Sequence, residues 1–225
     1  MKLLKINKDH RDFLAANGLG FVDTECVLPR AYEKGEYLFH QGEQLSCIYL
    51  LYSGKVSISV TAKNGKTLLL AICTNQTIFG EIEFFTDGLA TSSAQAMNRA
   101  LLLTIPFAQL RDVEGNEKLL YFLGLTLAKK LTRSIQNNTT NILNLADAKV
   151  ASYILLSNVD GRFKANLTKV AELLGISYRH LLRTLEELCT QGILAKDRHA
   201  FVIRDIDGLR ALAQDCFVSM DIRLN

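Results

Sequence analysis

The sequence predicts an α+β chain: an N-terminal antiparallel β-roll, a long dimerisation α-helix and a C-terminal winged helix-turn-helix. Three observations predict it. Between about residues 27 and 105, short apolar runs alternate with Gly-containing turns, the texture of evenly spaced antiparallel strands. From about Glu117 to Leu145, apolar residues step by three or four, and Gly124 is the one glycine. Residues 166–192, NLTKVAELLGISYRHLLRTLEELCTQG, read as two short helices broken at Gly175 with a basic stripe opening the second. The division that follows is 1–112 for a roll acting as sensor domain, 113–145 for the dimerisation helix and 146–225 for the winged helix-turn-helix.

Bulk properties narrow the function classes. A net charge of +3 over 225 residues excludes a polybasic nucleic-acid coat, although a sequence-specific reader needs only a local basic face. The five cysteines, Cys26, Cys47, Cys73, Cys189 and Cys216, are scattered, and no C-x-x-C pair occurs. That disfavours a disulfide framework and favours a reducing, cytoplasmic setting. The charged N-terminus lacks the apolar core of a signal peptide. No window approaches the roughly 18 apolar residues of a membrane span, so no membrane partner is expected. No nucleophile-base set, metal-ligand spacing or phosphate loop points to catalysis, and no catalytic or metal residue is assigned.

The elements follow in order. The first dozen or so residues read as an amphipathic helix with Leu3, Leu4, Ile6, Phe13 and Leu14 on one face. The roll's strands are YLFH, CIYLLY, KVSISVT and TLLLAIC, and Val56 to Val60 alternates with period two. Asn64-Gly65 reads as a hairpin turn, because both residues tolerate positive φ. The helix after Pro106 carries a seam of Leu120, Leu123, Leu127, Leu131, Ser134, Asn138, Ile142 and Leu145 over roughly 40 Å. Such a narrow seam asks for a partner helix, and a second copy is the simplest one. The alternative is a single helix packed on its own barrel. A third helix begins at Ala146, with Asp147 as its expected cap. Residues 157–165 are expected to be loop.

In the two-helix segment, Asn166 is the expected N-cap, and Val170, Ala171, Leu173 and Leu174 supply the buried side. Gly175 takes the left-handed helix end, and Ser177 caps the second helix. Leu181, Leu182, Leu185 and Leu188 face inward, which leaves Tyr178, Arg179, His180, Arg183 and, at the margin, Thr184 outward near the helix start. That is where a recognition helix meets base edges, and the arginine fork matches the guanine O6/N7 pair. Thr168 and Lys169 are candidate phosphate contacts. A hairpin from residues 192 to 204 forms the wing, with Arg198 and His199 at its tip.

Taken together, these features resemble the cAMP receptor protein/fumarate-nitrate regulator superfamily of bacterial transcription factors over nearly the whole chain. The resemblance is sharpest at Phe79-Gly80-Glu81-Ile82-Glu83-Phe84-Phe85, set like that family's FGE signature. It is equally sharp from Gly175 to Leu182, which looks closest to the YeiL-type branch. The resemblance implies a cyclic-nucleotide-binding-domain-like roll and a homodimer reading a palindromic double-stranded DNA site and contacting RNA polymerase. By the same comparison an effector pocket would use Gly80, Glu81, Thr91, Ser92 and Ser134. Two departures disfavour cAMP. Thr91 stands where the family has its phosphate-neutralising Arg, and Ile135 replaces one residue of the adenine-facing Thr-Ser pair. An iron–sulfur cluster is disfavoured by the isolated cysteines. Arg179 replaces the family's Glu, while Arg183 matches its base-reading Arg, so the expected target differs from the usual half-site. The competing reading is a ligand-sensing module whose C-terminal domain docks to protein rather than DNA.

Overall fold

The computed structural model describes residues 2–74, 76–111, 117–143 and 146–213, without the side chains of 111, 133 and 135–143. Cys216 and Leu145 therefore lie outside the described residues, as do the side chains of Ile135, Asn138 and Ile142. The chain divides into two compact units, one built from residues 2–60 and 71–133 and the other from 61–70 and 134–213.

The N-terminal half runs β1 (Lys2–Leu3), α1 (Lys8–Ala16), β2 (Leu28–Tyr32), β3 (Tyr37–Phe39), β4 (Cys47–Ser53), β5 (Val56–Thr61), β6 (Thr67–Cys73) and β7 (Ile78–Phe79). It continues through α2 (Glu81–Phe85), β8 (Ser93–Ala96), β9 (Ala100–Pro106), α3 (Phe107–Arg111) and α4 (Glu117–Leu143). The strands form two antiparallel sheets, ordered β1-β2-β9-β4-β7 and β3-β8-β5-β6. β4 pairs with β9 in a register that places Leu50 opposite Leu103 and Leu51 opposite Leu102, and all four are fully buried. That explains why the CIYLLY run is continuously apolar rather than alternating. β5 does alternate: Val56 and Ile58 reach the core, whereas the Ser57 hydroxyl bonds the Gln95 carbonyl at 3.2 Å.

Three expectations for this half need correction. The N-terminal helix is shorter than expected, because Lys2 and Leu3 pair with Ala31 and Arg30 as a strand and Leu3 remains exposed. The helix starts only after Asn7, whose side chain accepts from the His10 amide at 3.0 Å while the His10 Nδ1 accepts from the Asn7 amide at 3.3 Å. This reciprocal capping box fixes the start locally, whatever the upstream apolar pattern. Second, Asn64-Gly65 lies in the expected hairpin turn between β5 and β6, but the two residues do not share the positive φ that both tolerate. Only Gly65 adopts positive φ (+79°), and the Asn64 carboxamide accepts from Lys66 N. Gly65 N donates to Ala62 O, so a four-residue turn is closed by a left-handed glycine. Third, Leu123 does not belong to an exposed seam. It is fully buried with Leu119, Phe122 and Thr126 against the roll, while Leu120 and Leu131 are exposed. α4 carries two apolar stripes, and a search for steps of three or four merges them.

Burial lowers the His10 imidazole below its ordinary value, against a smaller upward pull from Asp9. A histidine lowered on folding stabilises above its unfolded value of about 6.5, and that contribution is lost as pH falls below it. His10→Gln keeps an acceptor in the capping box and removes this acid-side loss. Between about pH 7.5 and about pH 5, the melting temperature of the wild type should therefore fall further than that of the variant.

The C-terminal half contains α5 (Ala146–Ser157), β10 (Arg162–Phe163), α6 (Leu167–Leu174), α7 (Tyr178–Thr190), β11 (Leu194–Asp197), β12 (Ala200–Ile203) and α8 (Ile206–Ala213). Its sheet order is β10-β12-β11. Val150, Ile154, Phe163, Val170, Leu174, Leu181, Leu185 and Leu209 are buried in its core. The loop expected over 157–165 contains a strand. Asp160 and Gly161 both take positive φ (+50° and +73°), and Val159 and Arg162 exchange both backbone hydrogen bonds across them. This two-residue turn delivers Phe163 to the core, where it meets Tyr153 edge-on.

Candidate nucleic-acid interface and roll site

The geometry of the two-helix element follows from its caps. The Asn166 carboxamide accepts from Lys169 N at 3.2 Å to start α6. Gly175 ends it at φ +66°, with Ile176 N returning to the Ala171 carbonyl at 3.0 Å. The Ser177 hydroxyl accepts from His180 N at 3.1 Å and starts α7 one residue later. Leu181, Leu185 and Leu188 are buried and Leu182 is half-buried.

These caps leave Tyr178, Arg179 and Arg183 exposed at the opening of α7, with Thr168 and Lys169 exposed on the first turn of α6. Arg198 and His199 form the two-residue tip between β11 and β12, where Arg198 holds a left-handed φ of +47°. His180 is turned partly inward. Its Nε2 lies 3.7 Å from Asp147 Oδ1 and 3.4 Å from an Arg183 Nη. Thr184 does not face outward: it is 1 % exposed, and its hydroxyl donates to Asp147 Oδ1 at 2.6 Å. Leu181, Thr184, Leu185 and Leu188 share one helical stripe, so packing claims Thr184. Asp147 likewise is no cap. It sits inside the first turn of α5 and spends its carboxylate on α7. Sequence reasoning misses this role because Asp147 and Thr184 are 37 residues apart.

In the roll, Gly80 takes φ +88°, and an added Cβ would meet the Cys47 carbonyl oxygen at 2.7 Å, so this position requires glycine. Glu81 follows, buried, and its Oε1 receives Lys130 Nζ at 2.6 Å. The same ammonium donates to the Ile78 carbonyl at 2.6 Å. Thr91 is committed too: its amide and hydroxyl donate to Glu83 Oε1 at 3.0 and 3.2 Å. Ser92 is half-buried beside it, and Ser134 is exposed on α4 within the other unit. Lys130 is not readable as a site residue in the sequence, since a Lys-Lys pair on a helix ordinarily marks a solvated face, and Glu83 stands in the signature from Phe79 to Phe85 without a role assigned to it.

Cys47 and Cys73 are buried, while Cys26 and Cys189 are partly covered. Desolvation, then the Asp23 and Glu25 carboxylates, raise the Cys26 thiol, and burial raises Cys189. Both shifts suppress the reactive thiolate. Among the described residues, no three His, Cys, Asp or Glu side chains are grouped to hold a metal ion, and no helix is long and apolar enough to cross a membrane.

Comparison with known proteins matches residues 29–115 to the cyclic nucleotide-binding domain and residues 148–212 to the Crp-like helix-turn-helix domain. The regulatory protein YeiL of Escherichia coli O157:H7 is 30 % identical over 179 residues, 79 % of this chain and 82 % of that protein. A CRP-like cAMP-activated global transcriptional regulator of Mycobacterium tuberculosis is 30 % identical over 175 residues, 76 % of this chain and 70 % of its own length. In fold, a CRP/FNR-family regulator of Thermus thermophilus matches with TM-score 0.66 at 19 % identity, covering 83 % of this chain and 98 % of the other. FixK2 of Bradyrhizobium japonicum matches with TM-score 0.63 at 20 % identity, covering 83 % and 96 %. Roll, long helix and winged helix-turn-helix thus occur in the expected order. With a relative of that identity over most of its length, the chain belongs to the cAMP receptor protein/fumarate-nitrate regulator superfamily of transcription regulators, with a YeiL-type relationship.

Proposed function

We propose that the protein is a homodimeric, sequence-specific bacterial transcription regulator. Its recognition helix, about residues 177–189, enters the major groove of a palindromic promoter site. One observation carries this reading: the Ser177-capped start of α7 presents Arg179 and Arg183 outward while Leu181, Leu185 and Leu188 are buried. Arg183 is assigned to a guanine edge and Arg179 to a neighbouring pair. Tyr178, Thr168, Lys169 and the wing residues Arg198 and His199 are assigned to the backbone. Ser177 acts first as a cap. Residues 1–112 act as the sensor domain, 113–145 as the dimerisation helix and 146–225 as the reader. The setting is cytoplasmic, and RNA polymerase is the further partner; no enzymatic step is assigned.

The proposed effector is not cAMP, although the mycobacterial relative is named for it. An anionic ligand seated at Gly80 would meet two buried carboxylates, Glu81 and Glu83. The Lys130 cation is already engaged by Glu81, and the Thr91 hydroxyl by Glu83. No iron–sulfur cluster is assigned, since among the described residues the cysteines are not grouped to hold one.

The test is a mobility shift of the full chain on promoter fragments, with and without cAMP. A sequence-selective shift that weakens steeply with salt and is indifferent to cAMP supports the reading. Absence of any selective shift overturns it and favours protein docking.

A further inference from the structure

His180 is expected on the DNA-facing surface, yet its ring is half-buried between Asp147 and Arg183. Asp147, on α5, anchors α7 by accepting the buried Thr184 hydroxyl at 2.6 Å. The same carboxylate oxygen stands 3.7 Å from His180 Nε2, which in turn lies 3.4 Å from an Arg183 Nη. On the far side of Arg183, Glu187 Oε1 is 3.5 Å from its Nε. With its Nε2 unprotonated, His180 accepts from the Arg183 guanidinium, and the Asp147 carboxylate beyond it adds a negative charge that favours the cation. Residues 180, 183, 184 and 187 share one side of α7, so these groups line that side together.

We propose that Asp147 and His180 are positioning residues for Arg183. They hold its guanidinium plane so that one base pair is read from a pre-set orientation, and specificity at that pair is governed from α5 as well as from the recognition helix. The inference rests on the DNA-binding reading above. Its physical basis is that a bidentate fork on guanine discriminates only when its plane is fixed, whereas a freely rotating arginine attracts any phosphate. Pre-organising a contacting side chain lowers the ordering cost of binding.

The experiment is selection of bound duplexes from a randomised library, using the full-length protein as wild type, Arg183→Ala, His180→Ala, His180→Gln and Asp147→Asn. The Asn variant keeps an acceptor for Thr184, and the Gln variant keeps an acceptor near the Nε2 position. Arg183→Ala should erase one position of each half-site. His180→Ala and Asp147→Asn should relax that same position by about tenfold in preference and leave the others intact. His180→Gln should restore it. A half-site unchanged in His180→Ala, with affinity lowered alike for all sequences and a salt slope reduced by about one, marks a phosphate contact and overturns the proposal. If Asp147→Asn melts early, the His180 pair of variants decides alone. Wild type that selects no motif sinks the DNA-binding reading itself, a failure distinct from that of the positioning residues.

Discussion

Lys130→Met is expected to destabilise the roll by about 2–3 kcal/mol, a shift of roughly 5–10 °C in its melting temperature. The ammonium satisfies two groups at once, the Glu81 carboxylate and the Ile78 carbonyl, each at 2.6 Å. Methionine fills similar volume but leaves a carboxylate that is 3 % exposed with no cation. Breaking a fully buried pair from one side costs about 3–5 kcal/mol; the lower figure applies because the Lys130 side chain keeps 32 % of its exposure. That residual exposure also predicts an asymmetry. Glu81→Gln should cost less than Lys130→Met, because the freed ammonium can swing into water while a freed Glu81 cannot. Combining the two changes should recover part of the loss, giving a coupling energy measurable by denaturant titration. A Lys130→Met roll within about 0.5 kcal/mol of wild type would show that the pair is incidental.

The same pair shows what sequence can and cannot reveal. The strands of the roll and the caps of α6 and α7 are local: an apolar run between glycines, an Asn or Ser before a leucine stripe. Each can be read from a window of ten or twenty residues, and the four runs read as strands and the two caps stand at their expected places, while β2, β8 and β9 are strands that those runs leave out. Glu81 and Lys130 are 49 residues apart, and nothing near either one names the other. Asp147 and Thr184 have the same character, with one difference. The inward turn of Thr184 is available from helical phase alone, because it falls three residues after Leu181 and one before Leu185. A threonine beside an arginine invites a DNA role, and that invitation competes with the phase. α4 misleads for a third reason. Two apolar stripes on one helix, one taken by the roll and one left exposed, give the same step pattern as a single seam. Only burial separates Leu123 from Leu120.

That separation sharpens the other large effect. Leu131→Glu is expected to abolish the proposed dimer and to lower affinity for a full palindromic site by about 10²–10⁴-fold. The outward stripe of α4 runs through the exposed Leu120, Gly124 and Leu131 and the half-buried Leu127. Its outer members are 48 % and 63 % exposed, unlike the roll-facing Leu119 and Leu123 at 1 % and 0 %. A glutamate at position 131 therefore keeps the intrachain packing and should leave the monomer's melting temperature within about 2 °C, since an exposed side chain contributes little to the fold. Across a two-fold axis the outcome is different. Each copy would bring a carboxylate toward its mate and would strip apolar surface from the contact, so both changes oppose association. Leu123→Glu is the contrasting substitution and should unfold the roll rather than dissociate a dimer. Sedimentation and a mobility shift on full and half sites separate these outcomes: a monomer that still holds a half-site weakly supports the stripe as the dimer contact. A Leu131→Glu protein that remains dimeric with undiminished affinity places the contact elsewhere on the chain.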